Sequence, residues 1–414
     1  MLAKLALKSL LDRKGSVVLS LMAMTVSIFV LLGVEHIRHQ AKDNFSSTIS
    51  GVDLIVGSKT GSLNLLLYSV FRIGAPTNNI RWETYENIAN NKQVDWVIPI
   101  SLGDSHKGYR VLGTNKNYFQ HFSYGQQHKL AFSNGREFDG VFDLVLGYEV
   151  AQKLDYKVGD KIALAHGIAA TSFSMHDDRP FTVVGILAAT GTPVDQTLHV
   201  SLRGIEAIHI DWQQGVKIAN SNLTQSELEQ AKLQPKSITA FMLGLKSKIA
   251  TFQVQRTINE YKAEPVMAIM PGVALSELWQ MMRILENTLL IVSALVFIAA
   301  CLGVSSMLLA SIRERRREIQ LLRIVGAPPY FLFLLIQLEA LIITLLSCIL
   351  GAAFTAACLA LFQDQLVASY GLHIEINLFT ENSIAMLASI IVASIIVAFI
   401  PSFKMYRRAK STLN

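Results

Sequence analysis

Asn287-Thr-Leu-Leu-Ile-Val-Ser-Ala-Leu-Val-Phe-Ile-Ala-Ala-Cys-Leu-Gly-Val-Ser-Ser-Met-Leu-Leu-Ala-Ser-Ile312 runs for 26 residues without a charge. As a helix it would extend about 39 Å at 1.5 Å per residue, more than the roughly 30 Å of a bilayer's hydrocarbon core. Three other stretches qualify by the same measure. Gly15–Val34 and Asn382–Phe403 carry no charge, and Tyr330–Phe362 carries only Glu339. Across all 414 residues, 51% are hydrophobic and 16% charged, against about 25% charged in soluble domains. This composition excludes disorder and an ordinary cytosolic enzyme. Between the first and second stretches lie residues 35–286, of mixed composition and long enough for one large or two small domains.

The first stretch is longer than a signal-peptide core, and Val34-Glu35-His36 offers no small-residue cleavage site, so it reads as a retained anchor. Lys and Arg flank the spans asymmetrically. Lys4, Lys8, Arg13 and Lys14 precede the first. Arg313, Arg315, Arg316, Arg317 and Arg323 lie between the second and third, and Lys404, Arg407, Arg408 and Lys410 follow the fourth. The positive-inside rule places these three segments and both termini in the cytoplasm. It places residues 35–286 and the 363–381 loop on the outer face of an inner (plasma) membrane. These cytoplasmic segments hold 13 of the 37 basic residues and 3 of the 31 acidic ones, a net +10, and the rest of the chain is −4. The basic balance is therefore a topology signal and gives no support to nucleic-acid binding. Cys301, Cys348 and Cys358 all fall in apolar spans, where small packing residues belong.

The expected architecture is an α-helical membrane protein. Four transmembrane helices (15–34, 287–312, 330–362 and 382–403) join a large mixed α/β extracytoplasmic domain (35–286) inserted between helices 1 and 2. Residues 1–14 read as a basic amphipathic helix at the membrane interface, with Leu2, Leu5, Leu10 and Leu11 on one face. Residues 35–50 extend the first span as a stalk. In the outer domain Val52–Val56, Val94–Ile100, Tyr109–Leu112, Leu144–Leu146, Lys161–Ala165, Phe181–Leu187, Thr197–Leu202, Ile238–Leu245 and Val266–Met270 read as strands. Tyr148–Leu154 and Ile249–Tyr261 read as helices. From Ala274 an unbroken helix is expected into the second span. Leu275, Leu278, Met282, Leu285 and Leu289 follow 3-4-3-4 spacing, which fits a coiled-coil seam or a simple core face equally.

Ser311–Val325 (Ser-Ile-Arg-Glu-Arg-Arg-Arg-Glu-Ile-Gln-Leu-Leu-Arg-Ile-Val) reads as a helix stopped by Gly326 and Pro328-Pro329. Glu314/Arg317 and Arg315/Glu318 are i,i+3 pairs on its surface. Setting orientation explains the arginines but not the paired glutamates or the firm stop. The run Arg317–Ala327, with Gln337 and Glu339 in the next span, resembles the signature of FtsX-like ABC transporter permeases, in the MacB/LolC-type subgroup. Asn134–Phe138, Val145–Ala151 with Lys157–Asp160, and Phe181–Leu187 resemble successive blocks of that subgroup's MacB-like periplasmic core domain. The resemblance runs through essentially the whole chain.

The resemblance implies a non-catalytic permease subunit, with residues 313–329 as the coupling helix that docks on a cytoplasmic ABC ATPase. Arg315, Arg316, Arg317, Glu318, Leu322, Arg323 and Gly326 would be the coupling residues. The chain has no Gly-Lys dipeptide and so no P-loop, which puts ATP and Mg²⁺ on a separate ATPase chain and leaves no cofactor here. Other implied partners are a second permease copy or paralogue, membrane lipid, and a periplasmic or lipoprotein partner. The implied work is mechanotransmission: ATP hydrolysis drives conformational change on an envelope substrate such as a lipoprotein, lipid, peptide or toxic amphiphile. Two alternatives stand beside it, a regulator of a cell-wall hydrolase or signal relay of FtsX type, and a component of a metal-acquisition ABC system motivated by the ten histidines of the outer face.

No catalytic set is visible, because no nucleophile-elbow pattern occurs. Nor does any histidine spacing assign a metal site. His176-Asp177-Asp178 is the densest cluster and His36/His39 the closest spaced pair. Glu339, about nine residues into the third span and near mid-bilayer, is expected to make a hydrogen bond inside the bundle rather than relay protons.

Overall fold

The computed structural model describes residues 2–167, 179–210, 212–213, 216–217, 225–230, 233–314, 328–370, 378 and 380–411. They divide into two units. One is helical, built from Met1–Ala41, Met282–Ser369 and His373–Asn414, and the other is a mixed α/β unit, Lys42–Met281 with Tyr370–Leu372.

The α/β unit is organised by an 11-stranded sheet. From one edge, Val266–Ile269, Leu54–Ser58, Ala240–Leu245, Val94–His106, Tyr109–Thr114, Thr197–Ser201, Asp143–Leu146, Phe181–Leu187 and Phe132–Gly135 lie side by side. Two pairs are parallel, Thr197–Ser201 with Tyr109–Thr114 and Phe181–Leu187 with Asp143–Leu146; the other neighbours along this path are antiparallel. Short Ala165–His166 adds antiparallel to Val94–His106, with His166 opposite Asp104.

The inner strands read as apolar runs because both sheet faces are covered. Ile55 packs into one cluster with Leu65, Tyr68, Ile98, Ile100 and Met242. Its neighbours Leu54 and Val56 face a second cluster with Phe241, Leu243, Val254 and Ile258. Helix Ser62–Ser69 supplies Leu65 and Tyr68 to the first, and helix Thr251–Asn259 supplies Val254 and Ile258 to the second. Gly57 permits this closeness: a Cβ there would meet Leu65 Cδ1 at 2.4 Å and Tyr68 Oη at 2.6 Å. A third cluster, with Leu144, Leu146, Phe181, Val183, Leu198 and Val200, fills the other half.

Most expected strands form within two residues of their expected bounds. The largest difference is Val94–His106, which continues six residues beyond Ile100 through a register shift between Leu102 and Ser105. Pro99 does not interrupt it. Helices Ser62–Ser69 and Trp82–Ala89 were not expected; neither start has a side-chain cap to announce it.

The helical unit is built from Leu2–Leu11 and from most of the long helices Lys14–Ser47, Pro271–Glu314, Pro329–Tyr370 and Glu381–Ser411; residues 42–47, 271–281 and 370 of these belong to the α/β unit. Each long helix contains a stretch long and apolar enough to cross a membrane. The bounds differ from expectation at several points. The second long helix starts at Pro271, not Ala274, since proline's fixed φ suits the first helical position. The third continues to Tyr370 where a loop from Gln363 was expected; residues 363–370 contain no Gly or Pro to end it. The fourth passes through Pro401 and continues to Ser411, so the expected tail from 404 is largely helical.

Small polar side chains and a glycine join these helices, as is usual where burial from water does not drive association. Ser20 Oγ lies 3.3 Å from Met307 Sδ, and Ser27 Oγ lies 3.5 Å from the Val296 carbonyl oxygen, fixing the first two long helices antiparallel. A Cβ on Gly351 would meet Ile28 Cγ2 at 2.8 Å, so the third helix lies close against the first. Thr344 and Ser394 share a 2.7 Å hydrogen bond that ties third to fourth.

The stalk spacing resolves into two environments on one helix. Leu275 is buried in the α/β core, and Leu278 is half-buried. Met282 and Leu285 are exposed, as is Leu289. Trp279 stands half-buried between Leu275 and Met282.

Candidate functional site

Glu339 is 2% exposed and has partners on the N-terminal segment. Arg13 Nη2 donates to Glu339 Oε2 at 3.1 Å and to Ser9 Oγ at 2.9 Å, while Ser9 Oγ donates to Glu339 Oε1. A bundle-interior hydrogen bond is thus present. Both partners precede the first long helix, so the carboxylate is matched at the basic end of the helices and does not stand isolated halfway along a span.

Of the expected leucine stripe on the N-terminal helix, Leu10 is buried and Leu5 half-buried, whereas Leu11 is exposed. Ala6, Ser9 and Leu10 are buried, at the i, i+3, i+4 spacing that leads to Arg13, while Leu7 and Leu11 are about half exposed. Ser9 and Arg13, on this buried face, are the residues that reach Glu339. Gln337, two residues earlier, has both amide atoms buried without a hydrogen-bond partner among the described residues.

A second tie stands near the far end of the first helix. Arg38 donates to Glu35 at 2.7 and 3.0 Å and lies 3.9 Å from Glu286 on the second long helix. Two ion clusters thus bracket the apolar run, one joining the first helix's approach to the third helix, the other joining the first to the second.

The residues expected to couple to an ATPase, Arg315, Arg316, Arg317, Glu318, Leu322, Arg323 and Gly326, lie outside the described residues, as do His176, Asp177 and Asp178. The second long helix leads towards the coupling segment as far as Glu314.

Sequence reading missed one cluster in the α/β unit. Asp104, His166 and His209 present ligand-type atoms that all lie within 4.8 Å of one another. His166 Nδ1 is 3.0 Å, and His209 Nε2 3.4 Å, from Asp104 Oδ1. The two imidazoles stack at 4.5 Å with a 12° interplanar angle. Burial by itself would raise the Asp104 carboxyl, but the neighbouring imidazoles outweigh it and hold the group at about 2. Asp104 correspondingly raises His166. The three residues are far apart in sequence, and no local spacing could have joined them. Cross-strand register brings Asp104 to His166, and His209 ends the helix Leu202–His209 that follows strand Thr197–Ser201.

Comparison with known proteins gives two family matches. Residues 17–261, more than half of the chain, match the MacB-like periplasmic core domain, and residues 290–410 match the C-terminal region of FtsX-like permeases. The periplasmic region of MacB from Actinobacillus actinomycetemcomitans aligns with 56% of this chain and 94% of its own, at 11% identity and a TM-score of 0.35. The extracellular domain of the noncanonic ABC-type transporter YknZ from Gram-positive bacteria aligns with 53% of this chain and 98% of its own, at 12% identity and a TM-score of 0.31. A search of curated proteins returned no match. From the two family matches, which follow one another in chain order, it follows that this chain belongs to the ABC transporter permeases of the MacB/FtsX type.

Proposed function

We propose that the chain is the transmembrane subunit of a mechanotransmitting ABC system. ATP bound by a separate cytoplasmic ATPase closes two ATPase copies. That closure displaces the 313–329 segment, and the long helices carry the displacement to the α/β unit on the outer face. The outer units then act on an envelope substrate of the lipoprotein, lipid, peptide or amphiphile class, with a second permease copy or paralogue completing the assembly.

One observation carries this reading. Helix Pro271–Glu314 is continuous from the α/β unit to the threshold of the coupling segment, over 44 residues. At 1.5 Å per residue this is about 66 Å of hydrogen-bonded backbone. Apolar length alone would serve an anchor, whereas an unbroken helix with its first turns in a folded core can transmit displacement. Leu275 supplies that footing. The Arg38–Glu35–Glu286 cluster supports the same reading by joining the two helices that lead into the α/β unit.

The test is capture of the ATPase by tagged full-length protein from native membranes in mild detergent. An ABC ATPase in about equal amount is the expected result. The charge-reversed pair Glu318→Lys with Arg323→Glu is expected to lose it while still inserting in the membrane. Undiminished capture by that pair would overturn the docking assignment, and absence of any ATPase from folded wild-type protein would overturn the reading itself.

A further inference from the structure

We propose that the cavity beside Arg13, between the first two long helices, binds the phosphate of an anionic membrane phospholipid, whose acyl chains lie along the exposed apolar faces leading away from it. The site rests neither on what the permease moves nor on the docking of an ATPase.

The argument starts at the guanidinium, which carries five N–H donors. Nε faces the Ser9 carbonyl oxygen at 3.4 Å, and Nη2 donates to Ser9 Oγ and Glu339 Oε2. Nη1 is buried and has no hydrogen-bond partner among the described residues, in a side chain only 12% exposed. A buried charged donor left unsatisfied is costly, so an acceptor belongs there. Arg13 borders a cavity of about 250 Å³, lined also by Ser16, Leu19, Ser20, Ser306 and Met307. One water takes about 30 Å³, so the space exceeds what hydrating Nη1 requires. Three hydroxyls and a guanidinium around one space are a donor set for phosphate oxygens.

Charge and shape narrow the occupant. Glu339 cancels Arg13, but Lys4, Lys8 and Lys14 still outnumber Asp12 on the same segment, and all four are exposed. Basic pockets between membrane helices suit anionic headgroups. A free phosphate would be served by the polar space alone, yet that space opens onto two apolar tracks. From Leu19, 71% exposed, Met22 and Val26 follow at three- and four-residue steps on the first long helix, and both are exposed. From Ser306, Leu302, Ile298 and Leu295 follow at steps of four, four and three on the second, again exposed. The two helices run antiparallel, so both tracks lead away from the basic end. A polar pocket continued by parallel apolar tracks has the form of a headgroup with its chains.

The experiment uses full-length protein in detergent, depleted of endogenous lipid and titrated with dioleoylphosphatidylglycerol, with bound lipid counted by native mass spectrometry. One lipid should bind at least about tenfold more tightly than dioleoylglycerol, which lacks the phosphate. Millimolar inorganic phosphate should not displace it. Ser16→Glu places a negative charge on the exposed wall of the cavity and leaves the Arg13–Glu339 pair intact; it should abolish the tenfold preference. Asn382→Glu makes the same charge change at an exposed position that opens the fourth long helix, and should leave the preference unchanged. In native membranes, phosphatidylglycerol with a photoactivatable acyl chain should label peptides spanning 19–26 and 295–302 in the wild type and not in Ser16→Glu. Equal binding of dioleoylglycerol would reduce the site to ordinary surrounding lipid, and displacement by inorganic phosphate would make it an aqueous anion site; either overturns the proposal. So does a preference that survives Ser16→Glu. Absence of labelling, with Leu302→Cys joining two copies by a disulfide, would give the face to a second copy of the chain and overturn it as well.

Discussion

At the scale of single residues, buried charge is the deciding quantity. Glu339 is enclosed among apolar helices, and Arg13 neutralises it at 3.1 Å. Removing one partner of a buried pair costs about 3–5 kcal/mol, because the other charge is left uncompensated, whereas removing both costs far less. Arg13→Ala is therefore expected to lower the melting temperature of the detergent-solubilised chain, and adding Glu339→Gln should restore much of the loss. If the second change brings no recovery, the pair is not what holds the N-terminal helix. His199 makes a different prediction. It is fully buried against Tyr118 and Phe119, with Nδ1 3.4 Å from the Val145 carbonyl oxygen. Burial, followed by the nearby Arg72 charge, brings it down to about 3. A histidine held neutral in the fold and free to protonate at about 6.5 when unfolded stabilises above 6.5, and the benefit falls by up to about 1.4 kcal/mol per pH unit below it. His106, lowered by burial, and His166, raised by Asp104, also titrate near this window below 6.5 but do so in both proteins, so the comparison of wild type with His199→Phe isolates His199. Stability measured across that window should drop less steeply in His199→Phe than in the wild type; parallel slopes would contradict the assignment. That Glu339 is buried and bonded was legible from its isolation in an apolar span. That its partners are Ser9 and Arg13 was not, because pairing between positions 330 apart is set by helix packing.

At the scale of elements, what the chain announces locally is what could be read. Phe181–Leu187 and Tyr148–Leu154 form at their expected bounds, because the first is an apolar strand run and the second is bounded by local turn residues, Gly147 before it and Asp155 in the left-handed region after it. Ser62–Ser69 and Trp82–Ala89 were not legible because they are stabilised by burying Leu65, Leu66, Tyr85 and Ile88 in a core assembled from distant strands. The extension of the third helix to Tyr370 was missed for another reason: polarity at Asp364 suggested a loop, but leaving an apolar span does not end a helix without a breaking residue. The second long helix carries the prediction proper to this scale. Arg283→Pro removes a backbone donor and clashes one turn back, kinking the helix just past Met282. The variant should still insert and still capture the ATPase, yet lose the response of the outer unit to ATP, read as protection of that unit from protease with and without nucleotide. An unaltered response would mean that force does not travel along this helix.

At the scale of the whole molecule, the order of apolar spans and the K/R asymmetry were enough to anticipate four membrane helices with an α/β insertion, since both depend on composition over long windows. The sheet's strand order was not legible, because it places Leu54–Ser58 between strands from positions 240 and 266. That interleaving closes the α/β unit on itself, with its three apolar clusters formed by its own residues. A fragment of residues 42–281 is accordingly expected to fold as a soluble domain, shown by a cooperative thermal transition and dispersed amide resonances. A molten fragment would mean that the membrane helices are needed to complete the core.

Trp279 gives the chain an optical gauge of its own. The indole stands on the second long helix between a leucine fixed in the core and the residue where the helical unit begins. With the other three tryptophans replaced by phenylalanine, its emission wavelength and its quenching by iodide would register the wetting or shielding of that one turn. The bend or rotation of the helix could then be timed in membranes, during turnover, without attaching a dye.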